Sequence, residues 1–283
     1  MEEDFAHCYK SKTLHLGSNS RMFETKMKHS IEFEFLGTGT SQGVPVIGCN
    51  CVVCTSTNTL DKRLRSSVLV TMNDVKIVVD TGTDFRQQML RSNTNRIDAV
   101  LYTHAHADHV LGLDDIRAIN FQQKMDMPLY ATEQTEQSIR SIFHYAFSEN
   151  KYPGVPQVYF ERIGGKPFTV LGHSVMPIAA QHGGMEVTGF RFGDLTYLTD
   201  VKSISAKELD KVRGSKTVII NALRLKEHHS HFNLQQALEF LNEIAPQQGY
   251  LTHISHLLGT HERVSSLLPS NVDLAYDGLK LTA

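Results

Sequence analysis

The sequence predicts an α/β protein. Two β-sheets should stack face to face with helices on their outer sides, a four-layer αββα sandwich. Three observations carry this. From residue 31 onward, strand-like runs dominate both ends of the chain. Helical runs come in singly between them, the pattern of sheets covered by helices rather than of a bundle. No linker rich in Pro, Gly or Ser divides the 283 residues, a length that suits one large domain.

The elements follow in order. Residues 1–30 show no sustained period and are rich in Ser, Lys and Asn, so they read as a poorly ordered extension. Residues 31–283 are the expected folded domain, and Met27 is a candidate alternative start. IEFEFLG, from Ile31, alternates as a strand does. SSVLVTM and VKIVVD flank Asn73-Asp74, a hairpin turn signal. TDFRQQMLRS suits a helix and IDAVLYT a buried strand. GLDDIRAINFQQ and TEQTEQSIRSIFHYAF are helical in spacing. Strands are expected at QVYFERI, HSVMPIAAQ, EVTGFRF and LTYLTD. The remainder alternates: helix SAKELDKVR, strand KTVIINAL, helix NLQQALEFLNEI, strand QGYLT, helix HERVSSLL and strand VDLAYDG.

The formal net charge of -2 offers no broad basic field to gather nucleic acid, which makes such a partner unlikely without excluding a local patch. No apolar run approaches the ~20 residues of a membrane span. The start, MEEDFAHCYKSK, lacks the apolar core of a signal peptide, so the expected location is cytoplasmic, with reduced cysteines. The unusual count is 15 histidines, and histidine is the commonest metal ligand.

Those histidines cluster. Thr103–His109 reads THAHADH, between a buried strand and a helix. Four ligand-type side chains within six residues are costly at a strand end unless something binds them. A loop lets His104 and His106 point one way while Asp108 and His109 point another, which suits two adjacent metals. Asp80, His182, Asp200 and His253 stand at the ends of other strand-like runs. Each alone reads as readily as a buried histidine or a turn aspartate. Together with THAHADH they point to convergence on a two-metal hydrolytic site, with Asp200 suited to bridge.

The stretch Gly48–Cys54, GCNCVVC, holds three of the four cysteines. By itself it fits a disulfide, a redox site, an iron–sulfur cluster or a structural zinc site.

The HxHxDH motif, the later His182, Asp200 and His253, and the earlier Asp80-Thr81-Gly82 resemble the metallo-β-lactamase-fold hydrolases over about residues 31–283. The resemblance implies that fold. It implies one metal on His104, His106 and His182, and a second on Asp108, His109 and His253, with Asp200 between them. Asp80 would orient a ligand histidine without binding metal; its alternative is a plain turn aspartate ahead of Gly82.

Three features narrow the resemblance. The run FLGTGTSQGVPVIGCNCVVC is similar to the PhnP-like phosphodiesterases; the tRNA 3′-processing RNase Z shares the leading Gly-Thr-Gly type of start but not the cysteines. Its Gly-rich part reads more readily as a tight turn after a strand than as a phosphate cradle. His256, three residues beyond His253, matches the fourth ligand of a structural zinc site with Cys49, Cys51 and Cys54, as PhnP-like proteins carry. His231, just before an amphipathic helix, matches the family's candidate general acid; His228 and His229 share its loop and match less well. Arg224 and Arg65 are candidate phosphate partners, with surface salt bridges as their alternative.

The function so implied is a metal-dependent phosphodiesterase acting on small cyclic or linear phosphodiesters. It would use two divalent ions, Mn²⁺ or Zn²⁺, and one structural Zn²⁺. A metal-bridging hydroxide would attack phosphorus, with His231 protonating the leaving oxygen and Asp108 binding metal and relaying a proton. The alternatives are an RNase Z-like tRNA endonuclease and a non-catalytic metal-binding accessory protein. The partner expected is a small phosphodiester. No membrane partner is expected, and a homodimer is among the states the sequence admits.

Overall fold

A computed structural model of the protein describes residues 31–282. The expected extension over residues 1–30, with Cys8 and Met27, lies outside the described residues. The first half of the chain lays down β1 (Ile31–Gly37), β2 (Ser67–Met72), β3 (Val75–Val79), α1 (Phe85–Arg91), β4 (Ala99–Leu101), α2 (Ala107–Val110), α3 (Ile116–Gln123), β5 (Met127–Ala131), α4 (Glu133–Ile142), α5 (His144–Phe147) and β6 (Val158–Arg162). The second half adds β7 (Phe168–Val170), β8 (His173–His182), β9 (Met185–Phe192), β10 (Leu195–Tyr197), α6 (Ala206–Val212), β11 (Thr217–Asn221), α7 (Leu234–Ile244), β12 (Gln248–Thr252), α8 (His261–Ser265) and β13 (Val272–Leu274). Last comes β14 (Lys280–Thr282), which returns to pair with β1.

Two seven-stranded sheets result, ordered β14-β1-β2-β3-β4-β5-β6 and β13-β12-β11-β10-β9-β8-β7. Three apolar cores separate four layers. Phe33, Phe35 and Val68 of the first sheet meet Phe190, Tyr197 and Ile219 of the second. Outside the first sheet, Leu69, Val78 and Val100 pack on Phe85, Ile116 and Ile139 of the helices. Outside the second, Val218 and Ile220 pack on Ala237, Phe240 and Leu241 of α7. The metallo-β-lactamase sandwich predicted from the sequence is the fold observed.

Period 2 assigns the faces. In β3, Ile77 and Val79 enter the inner core and Val78 the outer; in β11, Ile219 faces in while Val218 and Ile220 face out. Strands covered on both sides read as unbroken apolar runs. β1 is buried more fully than the alternation of its residues suggests. Only Glu32 is exposed, and the buried Glu34 reaches Lys280 of β14 at 3.3 Å. The β2–β3 hairpin turns at Asn73-Asp74 as expected, with Asn73 at φ 54° and Met72 registered on Val75. Strands β5, β7 and β14 were not singled out in the sequence.

Strand direction sets where function sits. β3, β4 and β5 run parallel, as do β10, β11 and β12. β8 and β10 are each antiparallel to β9, so they share a direction. Asp80, the THAHADH loop, His182, Asp200 and His253 therefore follow strand ends along one edge of the sandwich, the edge where α/β sheets bind ligands.

Candidate metal centres

Asp80, Asp200 and His253 have left-handed backbones, at φ 64°, 60° and 53°. In residues other than glycine this costs of order 1–3 kcal/mol each and persists where the surroundings enforce it. Asp80 and His253 directly follow β3 and β12, and Asp200 stands three residues beyond β10.

Asp80 is fully buried and makes three hydrogen bonds. Oδ1 accepts from the Thr103 N–H at 2.8 Å; Oδ2 accepts from Thr103 Oγ1 at 2.8 Å and lies 2.7 Å from His109 Nδ1. Burial pushes its carboxyl up, against the pull of His109. Because the Thr103 hydroxyl donates to Asp80, its oxygen is free to accept from His104 Nδ1, at 2.9 Å. One carboxylate thus turns the Nε2 atoms of two histidines, His104 and His109, into the cleft. Both Nε2 atoms are buried without a hydrogen-bond partner.

His182 completes the first set. Its Nδ1 donates to the Ser230 carbonyl at 2.8 Å, which leaves Nε2 as the lone-pair atom. Ligand atoms of His104, His106 and His182 lie within 4.8 Å of one another, as do those of His104, His109 and Asp200. Asp108 and His253 join through their neighbours. Asp108 Oδ2 is 3.2 Å and Asp200 Oδ2 3.4 Å from His109 Nε2, and His253 Nδ1 is 3.2 Å from Asp200 Oδ2. His109 Nε2 forms a hydrogen bond with neither carboxylate although both are close. The atoms face a common point rather than each other.

The charges agree with cation binding. Burial and the neighbouring His109 push His104 well below its ordinary value; burial also lowers His182, and takes His253 to about 4. All three are neutral rings, the form that binds metal. Burial works against charge on Asp108 and Asp200, yet the surrounding histidines hold both carboxyls well below the usual range. Burial also opposes charge on His109, but Asp108, Asp200 and Asp80 raise it well above the ordinary value. Two ionised carboxylates against one imidazolium leave an excess of negative charge, and the orphaned His104 Nε2 lone pair beside it fits a divalent ion.

His231 stands against this cluster. Its Nε2 is 3.0 Å from Asp200 Oδ1, and its ring packs 4.5 Å from His182 and 5.0 Å from His253. The α7 capping box fixes the end of its loop: the Gln236 N–H donates to Asn233 Oδ1 at 2.9 Å, and Gln236 Oε1 accepts from the Asn233 N–H. Such a cap contributes about 1 kcal/mol.

The cysteines form a second cluster. His256 Nδ1 lies 3.2, 3.4 and 3.4 Å from the sulfurs of Cys49, Cys51 and Cys54. A tetrahedral zinc with Zn–S near ~2.3 Å and Zn–N near ~2.0 Å sets S···N edges of about 3.5 Å, so the four fit it. The Cys54 N–H, donating to Cys51, lowers that thiol to about 6; burial pushes Cys54 up to about 11. Without a cation only part of the set ionises readily; a dication favours the thiolate at every position. The cluster is tied to the first through Ile254, whose N–H donates to the Thr38 carbonyl and whose carbonyl accepts from Thr40 N–H. Cys51→Ser should lower stability by about 2–3 kcal/mol and remove one zinc per chain by metal analysis, while the folded fraction keeps its turnover. Lost turnover with unchanged circular dichroism would place this cluster in the chemistry instead.

Other expected residues have other partners. Arg65 pairs with Asp84 at 3.0 Å and donates to the Ser41 carbonyl. Arg224 donates to the carbonyls of Lys226 and Glu227 in its own loop. In the Gly-rich run, the N–H groups of Thr38, Gly39, Thr40 and Gly43 all donate within the protein, and a Cβ on Gly37 would stand 1.9 Å from the Arg65 carbonyl oxygen. The run serves close packing rather than phosphate. Gly82, Thr103 and Ser230 take roles that only the fold assigns. The Asp80-Thr81-Gly82 triplet and the position of Ser230 beside His231 were the available signals.

The sequence model described as beta-lactamase superfamily domain matches residues 75–254. An octanoyltransferase of Porphyromonas gingivalis (strain ATCC BAA-308 / W83) is 39% identical over 248 residues, 87% of this chain and 50% of the relative. A ribonuclease Z of Halalkalibacterium halodurans is 28% identical over 160 residues, 53% of this chain and 48% of the relative. The chain spans about half the length of these curated relatives. The crystal structure of a diphosphatase from the PhnP family superposes with a TM-score of 0.85 at 40% identity, over 90% of this chain and 97% of that one. No helix among the described residues is long and apolar enough to cross a membrane.

Proposed function

Since the chain belongs to the metallo-β-lactamase-fold hydrolases of the PhnP-like kind, we propose that it is a phosphodiesterase, cleaving small cyclic or linear phosphodiesters with two divalent ions in its cleft. One observation carries the reading beyond metal binding. His231 Nε2 lies 3.0 Å from Oδ1 of Asp200, whose Oδ2 faces His109 and His253. A proton donor is built onto the cation site.

His104, His106 and His182 would hold one ion, and Asp108, His109 and His253 the other, with Asp200 reaching both. Bound ions, Mn²⁺ or Zn²⁺, would supply Lewis-acid neutralisation of the phosphoryl oxygens and lower the pKa of a water. The chain's own groups do the rest. Asp80 and Thr103 hold the rings of His109 and His104 in orientation. Asp108, with its side chain 12% exposed and ionised, is the carboxylate best placed to take or relay a proton at the cleft mouth. His231 gives its Nε2 proton to the leaving oxygen.

A second reading, tRNA 3′ processing, draws on the likeness to ribonuclease Z, although the balanced charge gives little grip on a large polyanion. Octanoyl transfer is not proposed: it would need a nucleophile such as a thiol at the cleft, and the three described cysteines all face His256.

The test is metal content by mass spectrometry alongside turnover of bis(p-nitrophenyl) phosphate and a panel of cyclic and linear phosphodiesters with Mn²⁺ or Zn²⁺. About three ions per chain and ester cleavage are expected, two ions in the cleft and one on the cysteines. A metal-loaded protein that leaves every ester intact overturns the phosphodiesterase. Accurate trimming of a 3′-extended precursor tRNA would then favour the second reading, and its failure a non-catalytic role.

A further inference from the structure

The His231 loop contains a second histidine whose geometry bears on that proton. His228 Nδ1 is 3.3 Å from the backbone nitrogen of Ser230, and that N–H can only donate. The ring nitrogen that accepts it carries no proton, so His228 is the Nε2–H tautomer with its Nδ1 lone pair turned inward. Facing the same lone pair, 3.1 Å away, is His231 Nδ1. Two lone pairs at that separation repel, so His231 Nδ1 bears a proton and donates it. Ser230 Oγ closes the triangle, 3.2 Å from His228 Nδ1 and 3.0 Å from His231 Nδ1. On the far side of the His231 ring, Nε2 faces the Asp200 carboxylate oxygen at 3.0 Å.

We propose that His228 is a positioning residue for hydrolysis: by accepting from His231 Nδ1 it fixes that ring's orientation, so that Nε2 and the proton on it are presented to the leaving oxygen. The inference rests on the phosphodiesterase reading and on His231 as proton donor. As the attacking water's oxygen bonds to phosphorus and its proton passes to Asp108, the P–O bond to the leaving group breaks, and its electron pair goes to the leaving oxygen together with the proton from His231 Nε2. His231 is left as the neutral Nδ1–H tautomer, still donating to His228, so the contact survives the transfer. Without the acceptor, the ring is free to rotate away from the cleft.

The same turn also serves the cation site. The carbonyl of Ser230 accepts from His182 Nδ1, so residues 228–231 orient one cation-binding histidine and the proton donor together. His228 is half-buried, and burial followed by its histidine neighbours lowers it to about 4, in keeping with a neutral acceptor. His229, its exposed neighbour, packs against the His228 ring at 4.3 Å and has no hydrogen bond to His231 among those described.

The experiment compares two esters that differ in their need for an acid. A p-nitrophenolate departs unaided near neutral pH, whereas an alkoxide needs a proton. Wild-type protein, His228→Phe and His228→Asn are assayed with Mn²⁺ on bis(p-nitrophenyl) phosphate and on a 2′,3′-cyclic nucleotide. General acids contribute ~10²–10⁴-fold, and misplacing one should cost about tenfold or more on the alkoxide leaving group. His228→Phe is expected to show that loss in kcat, with a loss below about threefold on the nitrophenyl ester. His228→Asn, whose Oδ1 can take the place of the accepting Nδ1, should recover most of it. Equal losses on both esters with normal metal content and circular dichroism would overturn the assignment, as would no loss on either. Failure of His228→Asn to recover the cyclic substrate when it folds and loads metal would also overturn it. Wild-type protein inactive on both esters would instead overturn the phosphodiesterase reading on which the assignment stands.

Discussion

Asp200→Ala is expected to lower the hydrolytic rate on bis(p-nitrophenyl) phosphate by at least ~10³-fold. The reason lies in how much one carboxylate touches. Oδ1 faces His231 Nε2 at 3.0 Å, while Oδ2 faces His109 Nε2 at 3.4 Å, His253 Nδ1 at 3.2 Å and Thr199 Oγ1 at 2.6 Å. Alanine removes at once the carboxylate proposed to reach both ions and the atom that faces the proposed proton donor. It also takes a candidate ligand oxygen and its negative charge from the cation site, so bound metal should fall in parallel. The backbone is a second consideration. Residue 200 sits at φ 60°, a conformation alanine adopts at a cost and asparagine tolerates. Asp200→Asn therefore removes the charge with the backbone and shape kept, and it should lose activity to a similar degree. Cleavage that survives both substitutions would sink the assignment of Asp200 and with it the two-ion reading.

Gly82→Ala should cost at least about 100-fold in activity and on the order of 3 kcal/mol of stability. A Cβ at this position would stand 2.0 Å from the Asp108 carbonyl oxygen. The loop after β3 and helix α2 meet here with backbone against backbone. The Thr81 N–H donates to the His109 carbonyl and the Gly112 N–H to the Thr81 carbonyl, both at 2.8 Å. A methyl group must push apart two segments, one carrying Asp80 and the other Asp108 and His109. Ordinary contact begins near 3.4 Å, so the displacement is of order 1 Å, whereas metal–ligand distances tolerate about 0.2 Å. Gly164→Ala is the control: Gly164 is exposed, a Cβ there meets nothing within 4 Å, and the change should stay within about 0.5 kcal/mol. Thermal unfolding and metal titration of the pair decide it. A Gly82→Ala protein with wild-type metal affinity would show that the close approach is incidental.

Much of the fold was legible because its signals are local. Ile77–Val79 and Val218–Ile220 declare themselves as strands by short apolar runs, and α7 by its cap and spacing, without reference to the rest of the chain. THAHADH was legible for the same reason: its four ligand-type side chains are within six residues, and no fold-level information is needed to see that they must share a partner. The strands β7 and β14 escaped because each is three residues long and held in place by its sheet neighbour rather than by pattern. In β1 the alternation of Glu32 and Glu34 with phenylalanines marks a strand, and only the packing buries Glu34 as well.

By itself, then, the sequence determined the layers of the sandwich, the cluster after β4 and the residue types available to bind cations. Tertiary structure decided which of the remaining polar residues join them. It gave Arg65 to Asp84 and Arg224 to its own loop, spent the N–H groups of the Gly-rich run on internal bonds, and set His228 against His231. It also brought Gly82 so close to Asp108 that no side chain fits. The physical reason is distance along the chain. A hydrogen bond or a steric limit between residues tens to hundreds of positions apart depends on where the fold carries each of them, and local composition holds no record of that, whereas periodicity and short-range ligand spacing are written within a single turn or strand.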